Sequence, residues 1–325
     1  MITAHGLRKR YGATVAVDDL SFEVRPGVVT GFLGPNGAGK STTMRLMLDL
    51  DHGEGEARFD GRRFRDIKDP MNEIGAVLEA QAFHPTRTAR NHLRMLAAAN
   101  RIPNSRVDEV LDLVGLSDVK SKKPKGFSLG MAQRLGLAQA LLGDPQVLIL
   151  DEPANGLDPH GIHWLRDVLK SLAAQGRTVF VSSHLLAEMA LMADELVVIG
   201  RGKMIYNGTA DDFVQTFTKQ NVLVRAPAAD TLVAALQRGG AEVEIRPDGS
   251  LLISGLDTPA VGELAYREGV LLHELTTHTA SLEQAFISAT GASEEYVARD
   301  VAEVMGAAPA GDARPATDET SGGAA

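Results

Sequence analysis

Cysteine is absent from the 325 residues, and this absence excludes disulfide bonds and cysteine-ligated metal sites. Basic residues are in the minority, since 33 Lys and Arg face 42 Asp and Glu for a net charge of -9. Binding along a nucleic-acid backbone requires clustered Lys and Arg to neutralise phosphates. We therefore expect no nucleic-acid partner, although a local basic pocket for a nucleotide is not excluded.

Long apolar runs are also missing. No window approaches 18 uninterrupted apolar residues, so the sequence predicts no transmembrane helix. The first residues lead straight into charged ones without the apolar segment of a signal peptide. We expect a cytoplasmic chain that reaches a membrane only through a partner. Hydrophobic residues nevertheless make up 44% of the chain, which is enough for a packed core.

Short apolar runs alternate with helical patterns over residues 1–215. Val29–Leu33, Val147–Leu150 and residues 178–182 are typical of buried strands. Strands that alternate with helices predict an α/β domain with a parallel sheet covered on both faces. Between the first two strands, residues from about 85 to 140 carry apolar side chains at helical spacings, which predicts a helical subdomain beside the sheet.

Residues 220–290 have the pattern of a second, smaller α+β domain. Glu242–Ile245 and residues 251–253 flank a Pro-Asp-Gly turn, which predicts a hairpin. A later helix is followed by a predicted strand at 271–275. Residues 304–325 are rich in Ala, Gly, Pro, Asp and Thr and predict a disordered tail.

The strongest local motif is the run GPNGAGKS at residues 34–41, which fits G-x-x-x-x-G-K-[ST] in full. Its glycines let several backbone N–H groups turn toward one phosphate, and the helix predicted from Lys40 adds its positive N-terminal end. Lys40 should reach the β- and γ-phosphates of ATP, and Ser41 should ligate Mg²⁺. The predicted nucleotide contacts of this loop are Gly34, Pro35, Asn36, Gly37, Ala38, Gly39, Lys40, Ser41 and Thr42.

Two acidic residues, Asp151 and Glu152, follow the predicted strand Val147–Leu150. Ligands of open parallel sheets bind at the carboxyl ends of the strands, which is also where the phosphate loop begins. Asp151 can therefore hold Mg²⁺, and Glu152 can polarise the attacking water. Alone, this pattern would more simply be a strand that ends in solvent. The phosphate loop upstream favours the catalytic interpretation.

Four further features carry a family resemblance. The run FSLGMAQRL at residues 127–135 resembles the signature loop of ATP-binding cassette (ABC) proteins. Residues 151–159 resemble the family's Walker B strand end and D-loop. His184 matches its switch histidine, and Tyr11 matches the aromatic side chain that stacks on adenine. In order and spacing these motifs cover roughly residues 2–210, and the chain resembles the ATP-binding subunits of ABC transporters.

The resemblance implies a P-loop ATPase core with N-terminal antiparallel strands. It also implies that two nucleotide-binding domains pack head to tail, with each ATP held between the phosphate loop of one and the signature loop of the other. We expect the second domain to be another copy of this chain, although the sequence does not distinguish a homodimer from a heterodimer. Hydrolysis would then loosen the dimer. The catalytic set implied is Glu152, His184 and Lys40. The nucleotide contacts that the resemblance adds are Tyr11, Ser128, Gly130 and Asp158.

The sequence departs from the family pattern in two places. The signature loop has Leu129 and Met131 where the family more often has Gly and Gln. Glu79 occupies the position of the Q-loop glutamine, and Gln81 lies two residues later. Three arrangements are open: Glu79 is a direct Mg²⁺ ligand, Glu79 leaves that contact to Gln81, or Glu79 acts in coupling alone. We favour the first arrangement, because an acid binds a hard cation better than an amide does. The predicted metal ligands are Ser41, Asp151 and Glu79.

The motifs look most like those of ATPases that serve bacterial peptide-antibiotic and drug exporters. We therefore expect an ATPase that powers a separate membrane permease, bound at the cytoplasmic face of the membrane. A soluble ABC ATPase that acts on ribosomes or nucleic acid is the alternative. Such proteins usually carry two cassettes or a long coiled coil, and this sequence has one phosphate loop and no heptad run. A regulatory module without turnover is disfavoured because Lys40, Asp151, Glu152 and His184 occur together.

Overall fold

The computed structural model describes residues 1–78, 83–84, 86–184, 186–217, 221–227, 229–278 and 282–290. The strands of the first 217 residues are β1 (Ile2–Tyr11), β2 (Thr14–Val24), β3 (Val29–Leu33), β4 (Glu54–Phe59), β5 (Ile74–Val77), β6 (Val147–Leu150), β7 (Thr178–Ser183), β8 (Glu195–Gly200) and β9 (Lys203–Thr209). The helices are α1 (Lys40–Met47), α2 (Pro70–Glu73), α3 (Ala89–Ala99), α4 (Asn104–Leu113), α5 (Leu129–Ala140), α6 (Pro159–Ala174), α7 (Leu186–Met192) and α8 (Ala210–Phe217). No helix in the described ranges combines the length and hydrophobicity needed to cross a membrane.

A six-stranded sheet forms the centre of this region, in the order β5-β6-β7-β3-β8-β9. Its first five strands run parallel, and β9 is antiparallel to β8. Strands β3 and β6 are buried along their whole length, as strands covered on both faces are expected to be. Both have the bounds predicted from the sequence, and the third predicted strand continues to Ser183. The predicted α/β architecture is confirmed.

A separate antiparallel sheet of order β2-β1-β4 covers part of the central sheet. Three phenylalanine rings join the two sheets: Phe22 of β2, Phe32 of β3 and Phe180 of β7 lie with ring centroids 5.1 to 5.8 Å apart. Such tilted and stacked pairs stabilise beyond their buried area. The N-terminal antiparallel strands implied by the family resemblance are therefore present.

Helices α3, α4 and α5 lie in the chain between β5 and β6, in the stretch for which the sequence predicts a helical subdomain. Each buries one apolar face, represented by Leu93 of α3, Leu111 of α4 and Leu135 of α5. All three side chains belong to one core with Leu148 and Leu150 of β6. The helical layer is thus packed onto the strand that ends at the acidic pair.

A smaller antiparallel sheet follows in the C-terminal region. The elements are β10 (Asn221–Arg225), α9 (Ala229–Arg238), β11 (Glu242–Ile245), β12 (Leu251–Ser254), α10 (Thr258–Arg267) and β13 (Glu274–His278). The strand order is β11-β12-β10-β13, and all neighbours are antiparallel. A β-α-β-β-α-β chain with this pairing is the ferredoxin-like arrangement. This is the small α+β fold predicted, including the hairpin of β11 and β12.

The last strand of this sheet begins later than predicted. The sequence pattern placed it at residues 271–275, whereas β13 spans Glu274–His278. Leu271 is exposed in the connection, and the His273 N–H donates to the Arg225 carbonyl at 2.8 Å as pairing with β10 starts. The apolar run indicated a strand, but the partner strand sets where pairing begins.

Helix α11 (Leu282–Thr290) returns to the first 217 residues. It contacts α8 and α7. The buried side chains that join it to these helices are Leu282, Ala285 and Phe286 of α11, Phe213 of α8, and Met189 and Met192 of α7. The small α+β region is therefore bounded by a helix that is anchored in the main core. The predicted tail, residues 304–325, lies outside the described residues.

Candidate functional site

The phosphate loop connects β3 to α1, and its backbone requires glycine at two places. Gly39 caps the N-terminus of α1 with φ of 103°, a left-handed conformation that favours glycine. A Cβ on Gly39 would lie 2.3 Å from the Ala16 carbonyl oxygen, and one on Gly34 would lie 2.7 Å from the Ile199 carbonyl oxygen. The backbones of neighbouring strands therefore lie too close to the loop to leave room for a side chain at Gly34 or Gly39. The tight turn leaves the start of α1 open to a ligand.

A cavity of about 390 Å³ lies against this loop. Its lining contains eight of the nine predicted phosphate-loop contacts and all three predicted catalytic residues: Pro35, Asn36, Gly37, Ala38, Gly39, Lys40, Ser41, Thr42, Glu152 and His184. Ala16 and Asn155 complete it. The structure thus brings the phosphate loop, the end of β6 and the end of β7 to one place. Helix N-termini such as that of α1 bind anions.

Lys40 is buried at the centre of the cavity wall. Its ammonium donates hydrogen bonds to the carbonyl oxygens of Gly34 at 2.7 Å and Pro35 at 3.3 Å. It also lies 3.4 Å from Oε1 of Glu152. The loop carbonyls and one carboxylate together compensate the buried charge, as a buried cation requires. The only long cationic side chain of the loop is therefore held in place beside the acidic pair.

The Glu152 carboxylate, which follows β6, contacts Lys40 of the phosphate loop and His184, which follows β7. Oε1 faces Lys40, and Oε2 lies 2.7 Å from Nδ1 of His184 and accepts the His184 backbone N–H at 3.3 Å. The residue has φ of 50°, an uncommon conformation for a side chain larger than glycine. Strain of this kind persists only where the surroundings fix it, and it occurs often at active sites. The arrangement can orient a carboxylate between a cation and an imidazole.

Two of the three predicted metal ligands lie on a second cavity, of about 680 Å³, that borders the same loop. Ser41 and Asp151 line it together with apolar side chains of α2, of β5 and of the segment that follows α1. No group of three or more His, Asp or Glu that could hold a metal occurs among the described residues. A hydroxyl and one carboxylate nevertheless suit Mg²⁺, which takes hard oxygen ligands and is usually held by one or two protein groups plus phosphates. Glu79 and Gln81, the other candidates, lie outside the described residues.

The signature residues do not line the phosphate-loop cavity of the same chain. Ser128 caps α5, and its Oγ accepts the N–H of Met131 at 3.2 Å. Asp158 likewise caps α6, accepting the N–H of Gly161 at 2.8 Å. A Cβ on Gly130 would come within 3.1 Å of the Gly156 carbonyl oxygen, so the two helix starts lie side by side. The capping residues Ser128 and Asp158 are both exposed.

Tyr11, the predicted adenine contact, is half exposed and is fixed by its hydroxyl. The hydroxyl donates to Oδ2 of Asp51 at 2.9 Å, and the same oxygen accepts from Nε of Arg45 at 3.0 Å. The hydrogen bond from Arg45 holds the pKa of Asp51 below its usual range. Burial, with the Asp51 hydrogen bond, raises the pKa of Tyr11. The ring therefore stays a neutral phenol bound to an ionised carboxylate.

We expect loss of this hydrogen bond to weaken ATP binding at the base and not at the phosphates. Tyr11→Phe and Asp51→Asn should each raise the Kd for ATP about two- to tenfold, because one hydrogen bond orients the ring. The Kd for tripolyphosphate, which lacks adenine, should not change. Calorimetry with both ligands measures the difference. An equal loss for both ligands would show that Asp51 supports the loop and not the ring.

Three residues with contacts at the site were not identified from the sequence. Ser182 bonds to both acidic residues, and Asp51 bonds to Tyr11. Gln133 donates from α5 to the Glu152 carbonyl oxygen at 3.4 Å. A polar residue at the buried end of an apolar strand is a signal for Ser182. The other two depend on contacts between distant segments, which the sequence does not display.

Comparison with known proteins agrees with this geometry. The family model described as ABC transporter matches residues 17–155. The chain is 38% identical over 296 residues to the uncharacterized ABC transporter ATP-binding protein YhcH of Bacillus subtilis (strain 168), covering 88% of this chain and 94% of that protein. The chain belongs to the ABC transporter ATP-binding proteins. It therefore binds and hydrolyses ATP as a transporter subunit, and the interpretation as a ribosome- or nucleic-acid-directed ATPase is not supported.

Two further matches locate this ABC transporter subunit within its family. It is 42% identical over 209 residues to the bacitracin transport ATP-binding protein BcrA of Bacillus licheniformis, covering 63% of this chain and 68% of that protein. A solved ATP-binding subunit of an ABC transporter matches with a TM-score of 0.61 and 29% identity, covering 67% of this chain and 93% of that one. Residues 220–283 match a separate family model described as a domain of unknown function, DUF8746.

Proposed function

We propose that this ABC transporter subunit drives export of a peptide antibiotic or similar drug through a separate membrane permease. The observation that carries the proposal is the 42% identity over 209 residues to the bacitracin transport ATP-binding protein. The match to the ABC transporter family model, over residues 17–155, contains the phosphate loop, the signature loop and the acidic pair. ATP-binding subunits of ABC transporters work with separate permeases and dimerise. Two copies of this chain would associate at the cytoplasmic face of the membrane, held there by the permease.

The proposed mechanism relies on positioning and electrostatics. Lys40 offsets negative charge on the β- and γ-phosphates, and the N-terminus of α1 adds its N–H groups. Glu152 takes the proton of the attacking water, while His184, bonded to Glu152 at 2.7 Å, keeps the carboxylate in line. Ser41 and Asp151 would hold Mg²⁺, which supplies further positive charge to the phosphates. Such preorganised charges act without rearrangement during the reaction.

The proposed dimer follows from where the signature residues lie. Ser128 and Gly130 stand at the exposed start of α5, next to the start of α6. They are not among the residues that line their own phosphate-loop cavity, so a second copy is needed to place them on ATP. The start of a helix suits contact with a γ-phosphate. In this arrangement ATP bridges two copies, and its hydrolysis releases them.

The export proposal is tested in a bacitracin-sensitive host. The chain is expressed with the membrane protein encoded beside it, and the minimal inhibitory concentrations of bacitracin and of a lantibiotic are measured. We expect the wild-type pair to raise at least one of them, and the pair with Glu152→Gln to raise neither. The control measures ATP hydrolysis of the same pair in membrane vesicles. If the vesicles hydrolyse ATP and no inhibitory concentration changes, the substrate class proposed here is wrong.

A further inference from the structure

Ser182 is a fully buried residue of β7 whose hydroxyl contacts both members of the acidic pair. Its Oγ accepts the backbone N–H of Glu152 at 2.9 Å and donates to Oδ1 of Asp151. One hydroxyl thus donates a hydrogen bond to one residue and accepts one from the next, just beyond the end of β6. Ser182 does not line the phosphate-loop cavity. Any effect on ATP hydrolysis must therefore pass through the two residues that it holds.

The position of Ser182 explains why the sheet needs a hydroxyl here. Pairing of β6 with β7 ends at Leu150 and Val181. The next N–H, of Asp151, donates to the Val77 carbonyl oxygen of β5 at 2.8 Å. The N–H of Glu152 then falls on the β7 side, where the chain has already left the sheet with φ of 50°. The side chain of Ser182 supplies the acceptor for an N–H that no longer has one in the strand ladder.

Each hydrogen bond of Ser182 fixes a different part of the site. The bond to Oδ1 restricts rotation of the Asp151 carboxylate, which lines the cavity shared with Ser41. The bond from the Glu152 N–H, together with the weaker bond from Gln133 to the Glu152 carbonyl, holds that peptide in its uncommon conformation. The Glu152 carboxylate is thereby kept 3.4 Å from Lys40 and 2.7 Å from His184.

We propose that Ser182 is a positioning residue for ATP hydrolysis that sets Asp151 and Glu152 together. The inference rests on the roles proposed above for these two residues. Outer-shell partners of metal-binding carboxylates orient the ligand, and their loss typically costs about 10- to 100-fold in metal affinity or activity. Because Ser182 also fixes the backbone of the adjacent base, one substitution should affect both the metal requirement and the turnover rate.

The test compares Ser182→Ala and Ser182→Cys with Thr30→Val. The cysteine variant keeps nearly the side-chain volume of serine but bonds weakly. Thr30 lies on β3 of the same sheet, and its fully buried hydroxyl has no hydrogen-bond partner among the described residues. Thr30→Val therefore removes a buried hydroxyl without removing a hydrogen bond. Wild type and Glu152→Gln are measured alongside.

We expect both Ser182 variants to lower kcat about 10- to 100-fold and to raise the half-saturating Mg²⁺ concentration about tenfold. Affinity for a fluorescent ATP analogue in EDTA should stay within about twofold of wild type, because the phosphate loop is untouched. Amide exchange in peptides covering residues 147–154 should become faster, because the Glu152 N–H has lost its acceptor. Thr30→Val should match wild type in all four measurements.

The outcomes separate this inference from the proposed function. If Glu152→Gln abolishes turnover while both Ser182 variants retain wild-type kcat and Mg²⁺ dependence, the positioning role is wrong and the proposed base stands. If Glu152→Gln hydrolyses ATP normally, the assignment of Glu152 as the general base is wrong, and the proposal for Ser182 loses its premise. Should Ser182→Ala not fold, Ser182→Cys decides, since it preserves the packing. A loss of analogue binding in EDTA equal to the loss of kcat would show a general structural defect and overturn the proposal.

Discussion

Lys40→Ala is expected to lower ATP turnover on the order of 100- to 1,000-fold or more, the loss found when a preorganised charge is removed from a reaction centre. The Lys40 ammonium is buried, lies on the phosphate loop and is 3.4 Å from Glu152. Its removal takes away the positive side chain that can reach the β- and γ-phosphates. It also leaves the Glu152 carboxylate without its ion-pair partner, so that repulsion between this carboxylate and the phosphates increases.

The measurement is steady-state hydrolysis by the chain with its permease, and the matched control is Lys170→Ala. Lys170 is an exposed lysine of α6 outside the cavity lining, so the control removes one lysine charge without touching the site. Circular dichroism of both variants establishes that they fold. Wild-type turnover by Lys40→Ala would contradict the assignment of the phosphate loop. A low rate in both variants would point to a loss of assembly with the permease.

The parts of the fold that depend on local chemistry could be predicted from the sequence. Strands β3 and β6 have the predicted bounds because short, mostly apolar runs of four or five residues are typical of strands buried on both faces. The start of α1 at Lys40 followed from the glycine-rich turn. In each case the signal lies within a few residues of the element that it predicts. The phosphate loop and the acidic pair were therefore predictable together with their supporting strands.

Features that depend on distant contacts were not predictable in the same way. The apolar run before β13 was recognised, but its start at Glu274 depends on pairing with β10. The anchoring of α11 depends on Phe286 and Phe213, two residues far apart in the chain, joining the same hydrophobic core. The contact between Ser182 and the acidic pair requires β6 and β7 to be neighbours in the sheet. A single sequence gives the residue types for such contacts but does not give the pairing.

Glu152→Gln is expected to lower the hydrolysis rate about 100- to 10,000-fold, the range of a general base, while ATP binding persists. The amide of the variant has the shape of the carboxylate, so its oxygen can still lie near Nδ1 of His184. In the wild-type chain this nitrogen is 2.7 Å from Oε2 of Glu152. The amide cannot take a proton from water. It also removes one negative charge beside the phosphates, which favours the nucleotide-bound state.

In the proposed dimer, ATP bridges the phosphate loop of one copy and Ser128 and Gly130 of the other, so slow hydrolysis should trap two copies together. Size-exclusion chromatography with multi-angle light scattering, run with Mg-ATP, with Mg-ADP and without nucleotide, measures the mass. We expect the Glu152→Gln dimer with Mg-ATP alone. A second variant, Glu152→Gln with Ser128→Arg, keeps the phosphate loop intact and blocks the signature contact, so it should bind ATP and remain monomeric. If the double variant also dimerises, the signature loop does not form the interface. If Glu152→Gln turns over normally and stays monomeric with Mg-ATP, both the base and the ATP-bridged dimer are wrong.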